Sequence, residues 1–415
     1  MLVSKLFISL ALSMGLIPAT EARLKYVGIN VSSGEFGVYS PGNPGFGLPG
    51  RFPDDYQFIN KSAIDVQISQ GINLFRLSFL VERMCPPSYG LGPKFNETHW
   101  QLYNEALQYI TDKGAYVMTD PHNYMRYGDP SAQPMSGPII GDTSDPKAAT
   151  TEQFGAFWGE MARRLQGNPR DISQFPVVLP LRPDERTSRH AHLSRPSKRS
   201  SGYHLDPYTG GHSWLQSSQN DEPSANYLNK LRDPINNTAI DIHEYLDYNF
   251  SGGNVECVNT FDSTMGPLTE WLRDNGLKAI VSEFGGSNTT VCAEMLKGAV
   301  DYVAGHDEYI GLAAWASGPK WNIYSPCCNN YTNNFGSLEP GSKASDGGPS
   351  YYDTIWLPTI LPAYEKYYSQ VVREGVSSIE LSNGKSGENK GKGNGNGNIK
   401  GNDNGKGKGK GKNGQ

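Results

Sequence analysis

The feature that most constrains this chain is a repeated alternation of short apolar runs with longer amphipathic ones. Apolar runs recur at 26–31, 73–79, 115–120, 176–181, 239–243, 279–283 and 310–315, and the stretches 55–70, 97–113, 151–166, 264–275 and 292–305 carry helical periodicity between them. Short strands separated by helices of that length read as βα units around a parallel sheet, since parallel neighbours need a long crossover to return to the same end. Gly71, Gly114, Gly167 and Gly276 stand where four of these helices should stop. Seven strands are recognisable, and an eighth is expected after the fourth. Without its leader the chain keeps roughly 390 residues, enough for one (β/α)8 TIM barrel, which takes about 250. The expected organisation is a leader over 1–22, a single α/β barrel domain over 23–375 and a tail over 376–415.

The leader has the layout of a secretory signal: Lys5, an apolar run over 6–17, and small residues ending at Ala22. That run is shorter than the roughly 20 residues that span a bilayer. No other stretch is long and apolar enough, so the chain reads as exported and not anchored in a membrane. Asn30, Asn60, Asn96, Asn236, Asn249, Asn288 and Asn330 each begin an Asn-X-Ser/Thr triplet without proline, the acceptor signature for N-linked glycans. Five cysteines in an exported chain suggest disulfides with one thiol left over. Cys257 and Cys292 each sit in a loop entering a helix beside the later strands, and we pair them. Cys85 and the vicinal Cys327 and Cys328 stay unassigned. No Cys-X-X-Cys or His-rich spacing suggests zinc, and no metal or other cofactor is expected. From Asn383 to Gln415, eight lysines stand against Glu388 and Asp403, so this tail carries +6 and the rest of the chain −11. A tail of Gly, Asn and Lys cannot offset the entropy of ordering and reads as disordered. On an exported, acidic body it makes no case for nucleic acid as a partner.

Active sites of such barrels lie where the strands end at the C-terminal face. The polar residues at those ends are Arg76, then His122 and Asn123, then His243 and Tyr245, then Glu283, and last Trp315. Singly, each has a structural explanation, such as a core ion pair or a capped histidine. Together they suit a sugar: an indole for the ring face, hydrogen bonds for hydroxyls, and a carboxylate for the anomeric carbon.

Seven motifs in order carry a resemblance to one family: YVGINVSSGEFG, GINLFRLSF, DPHNYMRYG, YTGGHSW, DPINNTAIDIHEYLDYNFSG, IVSEFGGSNTTVC and AAWASGPKW. Over about 25–368 the chain resembles the fungal endo-β-1,4-glucanases (cellulases) of glycoside hydrolase family five. The resemblance implies that Glu283 is the nucleophile of a retaining hydrolysis and that Arg76 steadies it as an anion, since an adjacent guanidinium favours the ionised carboxyl. It further implies that His122, Asn123, His243 and Tyr245 line the subsite at the scissile bond and that Trp315 is the stacking platform.

Retention also needs a second carboxyl group about 5 Å away to protonate the leaving oxygen. In the family this is the Glu of an Asn-Glu-Pro motif ending strand four, and no Asn-Glu-Pro occurs in this chain. Strand four runs instead into RPDERTSRHAHLSRPSKRS, with six Arg or Lys, two His and no period of either kind. Glu185 stands near the expected place, in surroundings unlike the family's. One coding of Arg182–Thr187, CGG CCT GAT GAA CGA ACC, read one nucleotide later gives Gly-Leu-Met-Asn-Glu-Pro, the family's pattern. We therefore read roughly 171–204 as translated out of frame; the alternative is a divergent member whose acid is Glu185.

The expected function is a secreted, monomeric endo-β-1,4-glucanase acting on cellulose or related β-glucan. The alternatives are a sister specificity for mannan, xyloglucan or β-1,3-glucan, or a polysaccharide-binding glycoprotein without turnover because its acid is missing.

Overall fold

The computed structural model describes residues 24–38, 47–128, 137–172, 225–230, 237–321, 336–344 and 348–367. Six parallel strands lie in one sheet: β1 (Tyr26–Val31), β2 (Leu74–Phe79), β3 (Tyr116–Pro121), β4 (Ala239–Tyr245), β5 (Lys278–Gly285) and β6 (Tyr309–Ser317). Their order is β3-β2-β1-β6-β5-β4. Consecutive strands are neighbours, and the first strand also pairs with the last, so this is a barrel's circular order interrupted between β3 and β4. The fold is a (β/α)8 barrel. On the open side of β3, Val117 donates its N–H to Arg170 and accepts one from Ile172, so the sheet continues past β3 at Asp171. The strand expected at 176–181, the anomalous 173–204, Glu185, Cys327, Cys328, Asn236, Asn330, the leader and the tail lie outside the described residues.

Five main helices wrap the sheet: α1 (Lys61–Ser69), α2 (Glu97–Asp112), α3 (Thr151–Leu165), α4 (Gly266–Asp274) and α5 (Thr290–Gly305). Four of their starts are set by side-chain caps: Asn60, Asn96 and Thr289 accept backbone N–H groups, and Thr150 forms a reciprocal box with Gln153. The four glycines expected to stop helices all take positive φ. Two boundaries differ from the sequence pattern. The helix expected from 55 begins only at Lys61, because Asp55 is engaged with Arg51 and Asn60 supplies the cap. The helix expected over 264–275 begins at Gly266 as α4, with Pro267 in a first turn where its missing N–H is not needed, and a separate short helix, Phe261–Thr264, precedes it. A closing helical segment, Tyr352–Ile360 with π pitch followed by Leu361–Glu365, packs against α5.

The barrel interior is layered. At its N-terminal end Tyr26, Leu74, Met118 and Ile280 form a small apolar cluster separate from the large core between sheet and helices. Two residues further along each strand stand Gly28, Arg76, Asp120 and Ser282, so side-chain alternation turns the apolar floor into a polar layer. Disulfide Cys257–Cys292 forms as expected, and Cys85 is a buried free thiol. Among the described residues, no helix is long and apolar enough to cross a membrane, and no group of three His, Cys, Asp or Glu could hold a metal ion.

Candidate active site

One irregularity places Glu283. Along β4 and β5, Ile242 faces Val281, but the next pair is His243 with Glu283, which leaves Ser282 as an extra residue on β5. Strict alternation after Ile280 would put Ser282 inside the barrel and Glu283 outside; the bulge turns both inward. Ser282 then presents its carbonyl to the Asn30 side-chain amide at 2.8 Å, while Glu283 lies level with His243.

Glu283 is 1% exposed, and a buried carboxylate is tolerable only when paired and hydrogen-bonded. Arg76 supplies the pairing, with its guanidinium 2.6 Å from one Glu283 oxygen and 3.0 Å from Asp120. The Tyr245 hydroxyl donates to the other Glu283 oxygen at 2.8 Å, and His243 Nδ1 stands 3.3 Å from it. Arg76 in turn donates to the Asn30 side-chain amide oxygen at 3.0 Å. Burial would push the Asp120 carboxyl up, but Arg76 and then His122 pull it below the usual carboxylate range. Asp241 is likewise held low, with His243 and Arg76 outweighing burial.

His122 contacts Asp120 through Nδ1 at 2.9 Å and the Tyr124 hydroxyl through Nε2 at 3.0 Å. Burial lowers its basicity, yet the Asp120 carboxylate raises its pKa to about 9, so it is an imidazolium at neutral pH. Its ring stacks on Trp315 at 5.1 Å and 21°. Trp315 leans on Trp321, which packs against Phe36 of the β1 loop. At the strand's end, Gly318 passes so close to Ser32 that a Cβ would lie 2.2 Å from its carbonyl oxygen. Glycine is needed there for the β6 loop to close down beside the platform.

Arg76, His122, His243, Tyr245, Glu283 and Trp315 are thus brought together. Two residues are corrected. Asn123, expected at the substrate, is 3% exposed and its side chain is occupied between the Val81 N–H and Glu82. Asn30, expected to accept a glycan, is 1% exposed, and its amide nitrogen donates to Ser282, Ala313 and Ala314 carbonyls, leaving no room for a sugar. Sequence reasoning missed the roles of Asp120, Tyr124 and Asn30. The two-residue spacing of 116, 118, 120 and 122 on β3 was the signal for Asp120; nothing local marked the other two.

A carboxylate pinned between arginine and tyrosine beside an indole floor, at the C-terminal mouth of a (β/α)8 barrel, is the equipment of an enzyme that cleaves glycosidic bonds. The chain belongs to the cellulase family, glycosyl hydrolase family 5, whose sequence profile matches residues 29–173 and 208–321. It is 52% identical over 364 residues to Endoglucanase 1 of Robillarda sp. (strain Y-20), covering 84% of this chain and 91% of that one. It is 29% identical over 317 residues to the probable endo-beta-1,4-glucanase B of Aspergillus oryzae, covering 73% and 85%. Among solved structures, XacCel5A in complex with cellopentaose aligns at TM-score 0.61 and 24% identity over 83% of this chain and all of that one. Cel5A (EG2) of Hypocrea jecorina aligns at 0.53 and 21% over 72% and 91%. The family match lapses between 173 and 208, nearly the interval 171–204 in which the sequence pattern fails.

Proposed function

We propose that this chain is the product of a secreted endo-β-1,4-glucanase gene acting as a monomer on cellulose and related β-glucans by retention, with Glu283 as nucleophile. The observation that carries the reading is the anchoring of Glu283: Arg76 on one oxygen and Tyr245 on the other fix its carboxyl group at the mouth. In the first step a Glu283 oxygen bonds to the anomeric carbon while the bond to the leaving oxygen breaks and that oxygen takes a proton. In the second step a water oxygen bonds to the anomeric carbon, the bond to Glu283 breaks, and the water's proton goes to the group that gave one up in the first step. Arg76 and Tyr245 are aimed at the carboxylate, Trp315 offers a ring face, and the His122 imidazolium and His243 offer donors to hydroxyls. Asn60, Asn96, Asn249 and Asn288 are only partly covered and remain glycan acceptors in this reading.

The proton donor is the gap. We read 171–204 as out of frame, supported by the lapse in the family match, so general acid catalysis is missing, a loss of about 10²–10⁴-fold. The test uses a leaving group that needs no proton. The chain should release dinitrophenolate from a 2-deoxy-2-fluoro cellobioside and become labelled on Glu283, while releasing almost no sugar from soluble cellulose. Absence of label refutes the nucleophile assignment; unlabelled protein retained on cellulose would favour a binding glycoprotein. Sequencing the transcript across codons 165–210 should reveal a one-base shift that restores Asn-Glu-Pro.

A further inference from the structure

Two charged residues just beyond β2 take no part in the chemistry above, yet both are buried: Glu82 is 3% and Arg83 1% exposed. Arg83 ties down the β1 loop by donating to the carbonyls of Gly34, Phe36 and Pro49. Glu82 faces the other way, into the loop after β3. One of its oxygens accepts the Gly128 N–H at 3.0 Å, and the other accepts the Asn123 side-chain amide at 2.6 Å. The Asn123 oxygen is in turn fixed by the Val81 N–H at 2.8 Å. Every bond therefore has an assigned direction, and both Glu82 oxygens meet donors.

Between Asn123 and Gly128 the backbone does something costly. Tyr124 and Met125 lie consecutively in the left-handed region, at φ 49° and 56°. A side chain at such a φ is strained, and such residues persist only where the surroundings over-determine them. The Glu82 carboxylate grips the loop on both sides of the strained pair, and the strained pair brings the Tyr124 hydroxyl to His122 Nε2 at 3.0 Å.

We propose that Glu82 is a positioning residue for the sugar site: through Asn123 and Gly128 it holds the strained β3 loop in the conformation that orients Tyr124 and His122. The inference rests on the sugar-binding role given to His122 above. Lysozyme-like acid chemistry is not asked of it; Glu82 acts only through the loop.

The directionality of the bonds supplies the test. Glu82→Gln places an amide nitrogen against a donor, and Asn123→Asp places a carboxylate oxygen against Glu82. Made together, the two substitutions restore matched pairing with reversed polarity: the new amide nitrogen donates to the new carboxylate, and the new amide oxygen accepts from Gly128. Two quantities are measured on the full chain: cellopentaose affinity from tryptophan fluorescence, and the His122 ring signals by NMR, assigned by their loss in His122→Asn. Each single variant should weaken cellopentaose binding by about tenfold or more as the competent loop becomes a minor state, and should shift the His122 signals. The double variant should bring both back, with affinity within about threefold of the parent, by the same reasoning. Losses that sum in the double variant, or His122 signals unmoved by the single ones, overturn the proposal. If a single variant does not fold, recovery of folding in the double reports the same pairing, and its failure to recover counts against it. If the parent chain does not bind cellopentaose but the His122 signals follow the cycle, the sugar reading falls and the clamp stands.

Discussion

Removing the charge of Arg76 should change not only how stable the protein is but how its stability depends on pH. In Arg76→Met the volume is roughly kept while Glu283 and Asp120, 1% exposed each, lose their shared cation. Removing one partner of a buried ion pair typically costs about 3–5 kcal/mol, because the other charge is left uncompensated. For a domain of roughly 350 residues that corresponds to a fall in Tm of about 4–7 °C. The sign with pH follows from Asp120, whose carboxyl is below its ordinary value in the intact protein because Arg76 and His122 outweigh burial. A group depressed in the folded state contributes stability above its unfolded pKa of about 4, and that contribution is lost as pH falls through the folded value. Without Arg76, burial at Asp120 is opposed only by His122, so that carboxyl rises from its depressed value and its contribution to stability above pH 4 shrinks. Thermal unfolding followed by tryptophan fluorescence should show the widest gap between the two proteins near pH 7, narrowing as pH falls below about 4. A gap that stays constant across that interval would refute the electrostatic account and leave only lost packing.

Other consequences follow from single contacts. His122, raised to about 9 mainly by Asp120 against burial, contributes stability that is full below about pH 6.5 and lost as pH rises through 9; His122→Asn should flatten that alkaline limb in the same melting series. Tyr245→Phe deletes the 2.8 Å bond to Glu283 and should slow dinitrophenolate release about tenfold or more, the worth of a hydrogen bond to a charged group. Reducing Cys257–Cys292, 35 residues apart, should cost about 3–4 kcal/mol, visible as a lower Tm in dithiothreitol. Cys85, its thiol pushed up to about 12 by burial, should stay silent to a thiol reagent until the protein unfolds.

Much of the barrel was legible because its signals are local and periodic. Strand limits at β1 and β2 follow from continuous apolar runs, and helix ends from Gly71, Gly114, Gly167 and Gly276. The ring of Arg76, His122, His243, Tyr245 and Glu283 was legible because strand ends converge whatever the loops do. What failed was the fate of individual side chains. Asn123 and Asn30 carry the right chemistry at strand ends, but whether an amide meets substrate or backbone depends on neighbours far along the chain: Val81 and Glu82 in one case, Ser282 and Arg76 in the other. The extra residue at Ser282 is invisible for the same reason, since a bulge exists only relative to the partner strand.

That bulge bears on how the two halves of the chemistry are divided. Among the described residues, the side chains that hold Glu283 come from β1, β2, β3, β4 and β5: Asn30, Arg76, Asp120, His243, Tyr245 and Glu283 are bonded to one another. The acid is different, since the family draws it from the end of strand four, just past the point where Asp171 starts to pair with β3. If 171–204 is out of frame as proposed, the shift should remove the acid carboxyl while the described contacts of Glu283 remain. The expected defect is selective: the step that needs only a positioned anion survives, and the step that needs a proton on the leaving oxygen fails. A chain deficient to the same degree towards dinitrophenyl and natural glucosidic leaving groups would mean instead that the loss of strand four disorganises Glu283 itself.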